Sequence, residues 1–568
     1  MTANELYTLW LEKAEGAILE ELKSVSGNEA EIQRRFGTVQ AFGTAGIRSV
    51  MGAGSSLLND YTVRQVARGL AAYLMASDEN KSCAIGYDCR HNSQRFAEIC
   101  AAALAAEGVK VYLYDRLAPT PMLSFAVRHL ACGTGMVISA SHNTKEYNGL
   151  KCYGPDGCQM TEEPADKVSA AIETIDMFAP EKASFQSLLA EGKIEYIGAD
   201  VWEAYYATIA KECIRPELVK EMGMKVVYSP LCGAGGEPVT EALTRMGAVV
   251  YTPESQKKPD GDFPTCASPN PENDVAFAEN FKLADSVEHD IVIATDPDSD
   301  RIACAVKTEN GYRKLSGNEM GCLLLDYILS SYQKRGKMPA APMAVMSIVS
   351  SPMAAAIANA YGCHMRICPT GFKYIGAAIL ELEAENRPQD FIMGFEESCG
   401  YLKGTYCRDK DAVVTSMLIC EMAAYYKKKG KTLVDHMLEL YEAYGFMAAT
   451  LQSIVFETPE IKEKCQSKLA LIKTAPPTAV SGIPVIAATD FSTGKRTVLE
   501  TGDVQQLDFP RENMMRLELE GGCRVILRPS GTEPKMKLYY TAVSAVSVED
   551  AFAIAAKMEA GMTEYLNA

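Results

Sequence analysis

From about residue 60 the sequence alternates between two hydrophobic patterns, and the alternation recurs three times along the chain. Residues 63–76 and 93–107 carry apolar side chains at helical spacing, while 82–87, 110–114 and 136–139 are short apolar runs of strand length. That order predicts stacked βαβ units, because each kind of element buries its apolar face against the other. It returns as strand 224–229, helix 237–246, strand 248–252, a helical stretch and strand 291–295. It returns again as strand 343–349, helix 353–361, strand 365–368, helix 373–385 and strand 391–394. A long helix over 411–429 follows, and beyond about 450 the texture changes. Short strands such as 525–527 and 536–542, with a last helix at 548–564, predict an α+β unit. The fold class is therefore α/β: three successive similar α/β domains and a C-terminal α+β domain, over 1–205, 206–320, 321–448 and 449–568. A chain of 568 residues is long enough for this, at roughly 100–200 residues per domain.

Composition removes several functions. Lys plus Arg number 56 and Asp plus Glu 73, a net charge of −17, with 48% hydrophobic and 23% charged residues. These values exclude disorder and collagen. A negative surface repels phosphate backbones and anionic lipid, so neither nucleic acid nor membrane is an expected partner, and an anionic ligand needs a local basic site. The 18 cysteines show no CxxC pair or zinc spacing, and the six histidines form no HExxH group, which fits reduced thiols in the cytoplasm. No secretory signal is visible at the start. The uncharged run 338–365 is divided by Pro339, Pro342 and Pro352 and by Ser347, Ser350 and Ser351, so it reads as strand, turn and buried helix.

Four segments depart from ordinary core and surface. Thr295-Asp296-Pro297-Asp298-Ser299-Asp300-Arg301 follows an apolar strand, and three carboxylates at alternate positions repel one another unless a cation sits among them. Mg²⁺ is the natural occupant; a solvated Asp-rich turn is the alternative, and an EF-hand lacks its Gly and distal Glu. Ser139-Ala140-Ser141-His142-Asn143 also follows a strand, and there a hydroxyl suits a nucleophile or phosphate carrier, or else a helix cap. Arg528-Pro529-Ser530-Gly531-Thr532-Glu533-Pro534-Lys535 combines hydroxyls, a glycine and flanking cations as a dianion cradle, or as a plain turn. Gly394-Phe395-Glu396-Glu397-Ser398 suits paired sugar hydroxyls, or is an exposed acidic turn. Two smaller loops are rich in glycine or cations, Gly43-Thr44-Ala45-Gly46-Ile47-Arg48 and Gly86-Tyr87-Asp88-Cys89-Arg90. Gly233-Ala234-Gly235-Gly236 is broken by Glu237-Pro238, which argues against a nicotinamide cofactor.

In this order, and with Tyr147-Asn148-Gly149-Leu150-Lys151, Pro259-Asp260-Gly261-Asp262-Phe263-Pro264-Thr265 and Thr370-Gly371-Phe372-Lys373, the set resembles the α-D-phosphohexomutase superfamily across nearly the whole chain. The likeness is to its phosphoglucomutase and phosphopentomutase-like members. The resemblance implies four domains around a central cleft and a phosphoryl group carried on Ser141. It implies Mg²⁺ held by Asp296, Asp298, Asp300 and the Ser141 phosphate, with Arg301 beside it. Glu396 and Ser398 would contact the sugar hydroxyls, Thr370, Gly371 and Lys373 would bind the substrate, and Arg528, Ser530, Gly531, Thr532 and Lys535 would bind the non-transferred phosphate. Lys151 and Lys410 become candidates for proton transfer or orientation, aided by Arg48 and His142; a lysine base needs a depressed pKa.

The implied reaction interconverts glucose 1-phosphate and glucose 6-phosphate through glucose 1,6-bisphosphate, with a small phosphosugar as partner. Mannose or pentose phosphates, or synthesis of the hexose bisphosphate, are alternatives within the family. A Mg²⁺-dependent phosphatase with Asp296 as nucleophile, or a silent phosphosugar-binding protein, would leave Ser141 and the cradle at 528 without a role. Two departures stand out: Thr144 replaces the usual Pro after Ser-His-Asn, and Cys232 stands where the family often has His. Neither removes a group the chemistry needs. Oligomeric state is not legible here.

Overall fold

The three α/β repeats are three mixed sheets, each covered by helices. The computed structural model describes residues 1–38, 42–43, 46–456, 458–529 and 535–567. In the first sheet the strands run Gly46–Val50, Tyr147–Tyr153, Thr134–Ile138, Ser82–Tyr87, Lys110–Tyr114 and Ile194–Ile197. The last four are parallel neighbours, and Tyr147–Tyr153 turns back antiparallel against Thr134–Ile138. Alternation along Ser82–Tyr87 decides which core each side chain joins. Cys83 and Ile85 pack with Val63, Leu70, Phe96 and Leu104 of the helices Asp60–Ala76 and Ser93–Ala106, and Ala84 faces the opposite core.

The second sheet runs Gly311–Leu315, Ile302–Thr308, Ile291–Thr295, Lys225–Ser229 and Val249–Tyr251, and the third His364–Cys368, Met343–Ser347, Phe391–Glu396 and Gly400–Leu402. In both, a central strand turns back into an antiparallel neighbour, as in the first: Ile291–Thr295 into Ile302–Thr308, and Phe391–Glu396 into Gly400–Leu402. One continuous apolar cluster joins the three units, from Ala84 and Trp202 through Ile293 and Leu325 to Met417 and Tyr441. The C-terminal unit is an antiparallel sheet on the helices Pro459–Thr474 and Val548–Asn567, with its own core of Leu469, Leu517, Val525, Leu538 and Met558.

Helix ends follow their capping residues. Asn59 accepts from the Tyr61 and Thr62 N–H groups, Ser316 and Glu319 form a capping box, and the Asp411 carboxylate accepts from Val413 and Val414. The run 338–365 is the strand Met343–Ser347 and the helix Pro352–Ala360, whose first turn accommodates Pro352. Among the described residues no helix is long and apolar enough to cross a membrane.

Three helices precede the first repeat, Ala3–Lys13, Gly16–Ser24 and Glu29–Phe36. Periodicity does not announce them, because each is short and anchored by few buried residues. Trp10 packs edge-on against Tyr61 and Phe178, rings supplied by distant sequence, and Phe36 packs on Trp10 in turn.

Candidate active site

The three strand-to-antiparallel-strand turns converge on one cleft. Each carries a non-glycine residue in the left-handed region, Ser141 (φ 53°), Ser299 (φ 52°) and Cys399 (φ 62°). Such a backbone is unfavourable in isolation and persists only where surrounding bonds hold it. The cleft, about 750 Å³ in volume, is lined from all four units. Arg48, Ser141, His142 and Lys151 come from the first, and Glu272, Asp300 and Arg301 from the second. Thr370, Gly371, Lys373, Glu396, Ser398 and Lys410 come from the third, and Arg528, Lys535 and Lys537 from the last. A separate apolar cavity of about 630 Å³ beside the N-terminal helices contains none of these groups.

The Ser141 hydroxyl donates to Asp296 Oδ2 at 2.7 Å and lies 3.3 Å from His142 Nδ1. Asp296 Oδ1 accepts the backbone N–H of Asp300 and Arg301 at 3.1 and 3.0 Å, so its own turn fixes its orientation. Asp298 Oδ2 accepts from Lys151 Nζ at 2.7 Å and Thr120 Oγ1 at 2.9 Å, and Asp300 Oδ2 lies 3.2 Å from Lys410 Nζ. The three carboxylates are buried, and ligand oxygens from them lie within 4.8 Å of one another. Asp298 Oδ1 and Asp300 Oδ1 are buried without a hydrogen-bond partner among the described residues. Two orphaned anionic oxygens converging in a dry site fit a hard divalent cation.

Charge is distributed unevenly in this corner. Burial, then Asp298 and Asp300, push the Asp296 carboxyl well up; burial opposes the charge of Asp300 too, but Lys410, Lys151 and Arg301 outweigh it and hold that carboxyl down. His142 is kept neutral by burial and by the charges of Arg301 and Arg48. The depressed pKa expected of a lysine base is not found. Burial pulls Lys151 and Lys410 down, but Asp298 and Asp300 for the first, and Asp300 and Asp409 for the second, overrule it and keep both protonated. Lys410 reaches the site over Gly400, where a Cβ would stand 2.1 Å from its side chain.

The sugar-facing residues are partly occupied by internal partners. Glu396 Oε1 accepts from the Gly371 N–H at 2.7 Å, and Arg301 donates to the Ser398 carbonyl at 3.2 Å and to Glu272 at 2.5 Å. Lys373 Nζ meets Glu162 at 2.5 Å, Arg528 Nε lies 3.5 Å from Glu512, and Thr370 Oγ1 is buried without a partner among the described residues. Arg48 donates to Asn143 Oδ1 at 3.2 Å. Asp296 and Asp298 lie beneath the lining, and Ser530, Gly531 and Thr532 of the cradle lie outside the described residues, as do Thr44 and Ala45. Sequence reasoning missed Thr120, Glu272, Asp409 and Tyr153. The last two sit in quoted or neighbouring stretches, and Tyr153 OH donates to Asp409 at 2.8 Å. Nothing local marks Thr120, 178 positions from the aspartate it meets.

Three consecutive family models match the chain: phosphoglucomutase/phosphomannomutase alpha/beta/alpha domain I over 39–178, domain II over 203–311 and domain III over 316–444. The chain belongs to the phosphoglucomutase/phosphomannomutase family. It is 36% identical over 536 residues to the phosphoglucomutase of Staphylococcus epidermidis (strain RP62A), covering 93% of this chain and 95% of that one. Among solved structures, a putative phosphomannomutase from Thermus thermophilus shares the fold, with a TM-score of 0.68 at 21% identity over 93% of this chain and 100% of that one. An N-acetylphosphoglucosamine mutase from Aspergillus fumigatus, solved with GlcNAc-6P and magnesium, shares it with a TM-score of 0.51 at 13% identity, over 97% and 100% of the two chains. The phosphoglucomutase/phosphomannomutase family is one of phosphohexomutases, and in this chain the three equivalent turns converge on the cleft.

Proposed function

We propose that the protein interconverts glucose 1-phosphate and glucose 6-phosphate, with Ser141 carrying the phosphoryl group and glucose 1,6-bisphosphate as intermediate and activator. One observation carries this reading. A serine hydroxyl on a strained turn, 2.7 Å from a buried carboxylate, opens into a cleft that ends in Arg528 and Lys535. Glucose is favoured over mannose or pentose by the phosphoglucomutase name of the relative at 36% identity. A phosphatase is disfavoured because both Asp296 oxygens are already engaged, one by Ser141 and one by two backbone N–H groups.

Asp296, Asp298 and Asp300, with an oxygen of the Ser141 phosphate, would hold Mg²⁺, whose charge would offset that of the phosphoryl oxygens. Lys151 and Lys410, held cationic, add fixed positive charge at the same place. The sugar hydroxyl attacks the phosphorus, its new O–P bond forming as the bond to Ser141 Oγ breaks. The proton that the sugar hydroxyl loses ends on the seryl oxygen, and on the return His142, neutral and 3.3 Å from that oxygen, is suited to accept the seryl proton and pass it to the sugar oxygen set free. The bisphosphate then turns over, Arg48, Lys373, Arg528 and Lys535 with Ser530, Gly531 and Thr532 holding its other phosphate, Thr370 and Gly371 lining the sugar's path, and Glu396 and Ser398 meeting its hydroxyls. That phosphate returns to Ser141. We read the divisions near 205, 320 and 448 as limits of domains bearing the phosphoserine, the metal, the sugar loop and the phosphate cradle, and the cytoplasm as the setting.

Mass spectrometry of the Ser141 peptide tests the carrier: incubation with glucose 1,6-bisphosphate adds one phosphate, and its absence there would sink the mechanism. Ser141→Ala should reduce turnover below detection while Mg²⁺ binding persists. A kcat/KM panel of the 1-phosphates of glucose, mannose, ribose and glucosamine decides the sugar.

A further inference from the structure

We infer that Arg90 is the positioning residue that holds the Ser141 turn in its reactive shape; the inference rests on the reading of Ser141 as phosphoryl carrier. The Arg90 side chain is fully buried, yet the residue does not line the cleft, so it acts through the turn and not on substrate. Its guanidinium is spent on carbonyls of that one turn. Nη1 donates to Thr144 at 2.8 Å and Tyr147 at 3.1 Å, and Nη2 donates to Ser141 at 2.5 Å and also to Asn143. Four carbonyls drawn to one cation fix a segment whose key residue, Ser141, has a left-handed backbone at φ 53°.

Asp88 holds the fork in place. Its carboxylate lies 3.3 Å from Arg90 Nε and accepts from the Arg90 N–H at 3.0 Å, the Ser93 hydroxyl at 2.6 Å and the Ser139 hydroxyl at 2.7 Å. Ser139 Oγ in turn accepts the Ser141 N–H at 2.8 Å, so the same aspartate reaches the turn from its other side. The buried Phe263 ring, from the second unit, covers the guanidinium with its centroid at 5.1 Å. The turn also lacks a stiffener, since residue 144 is a threonine and not a proline, whose ring would fix φ. In this chain the arginine fork does what that ring would do. A lysine keeps the charge beside Asp88, but one ammonium with three donors cannot span four carbonyls.

The test is Arg90→Lys in the full-length protein with Mg²⁺, assayed below the temperature at which the variant unfolds. We expect kcat to fall by about 10²-fold, the scale of a misplaced reacting group, with KM little changed. Phosphorylation of Ser141 by glucose 1,6-bisphosphate, followed by mass spectrometry, should slow in parallel. Adding Thr144→Pro to Arg90→Lys should restore part of kcat at a temperature where both variants are fully folded. A phosphorylated wild type with an unimpaired Arg90→Lys overturns the inference alone. So does a loss of activity that follows the unfolded fraction and does not respond to Thr144→Pro. A wild type that takes no phosphate on Ser141 overturns the carrier reading, and the inference with it.

Discussion

Around Ser141 the cleft residues Asp296, Asp298, Asp300, Lys151 and Lys410 are buried or nearly so and bonded to one another or to the serine, whereas at the far end Arg528 has a side chain 26% exposed and leans on Glu512 at 3.5 Å. The first set is mounted on units that share one apolar core. The far end is mounted on a unit with its own core, which meets the rest at a small patch of Ile348 and Val349 against Phe491, Met514, Ile526 and Tyr539, among other contacts. Phosphoryl transfer needs fixed geometry, and substrate entry needs surfaces that part, so the division of packing matches the division of labour. The difference also corrects a simple electrostatic expectation. The cleft cations do not present a bare positive field to an anionic sugar. Lys151 and Lys410 face Asp298, Asp300 and Asp409, while Arg301, Lys373 and Arg528 face Glu272, Glu162 and Glu512. A phosphate arriving there would exchange partners with carboxylates.

Substitutions at the two ends should separate them. The largest effect after loss of Ser141 is expected for Asp298→Asn, which takes a charge from the carboxylate trio. The Mg²⁺ concentration for half-maximal activity should rise by more than about 10-fold, read by titrating activity against the metal; an unchanged requirement would remove Asp298 from the metal site. Arg528→Ala, at the far end, should raise KM by about 10-fold with a smaller change in kcat, since it would remove a charge-assisted contact to the phosphate that is not being transferred in that step. A fall confined to kcat would mean the far end is as tied to the chemistry as the near one.

Glu397, between the two ends, has its carboxyl pushed up to about 7 by burial and then by Glu396. Between the ordinary carboxyl value and that one, the folded protein keeps a proton that the unfolded chain releases, so stability falls as pH rises through the window. Glu397→Gln should therefore raise Tm by a few degrees at about pH 8 and leave it unchanged near pH 4, as scanning calorimetry would show. An equal gain at both pH values would mean that packing, and not the proton, is responsible. The smallest effect is expected for Glu162→Gln, which frees Lys373 from a half-exposed ion pair worth up to about 1 kcal/mol. KM should fall by up to about fivefold; a rise would show that the pair orders the cleft for substrate.

Much of the fold was legible because short apolar runs and amphipathic stretches alternate with few interruptions, and the helix expected over 63–76 is the helix Asp60–Ala76. What stayed hidden lacks a local period. The strand Phe446–Val455 has one buried residue, Ala448, and takes its identity from pairing with Lys535–Ser544. In the first N-terminal helix, Trp10 is covered by rings from elsewhere in the chain. In the site, Asp296, Asp298 and Asp300 could be read because mutual repulsion makes their spacing odd without a cation. The loop that ends in Arg90 stands out for its residue types but not for its bond to Ser141, and nothing local marks Thr120, because a threonine is commonplace until the chain brings it to Asp298.

The sequence by itself determined the repeats, the acidic composition and the chemical character of each turn, since these rest on local periodicity and on the residue types themselves. Tertiary structure alone decided that three equivalent turns, centred on Ser141, Ser299 and Cys399, meet at one cleft. It also decided that a hydroxyl and a carboxylate 155 positions apart come within 2.7 Å. Such contacts arise from the shared burial of distant surfaces, and no short stretch of chain contains the partner that gives it its role.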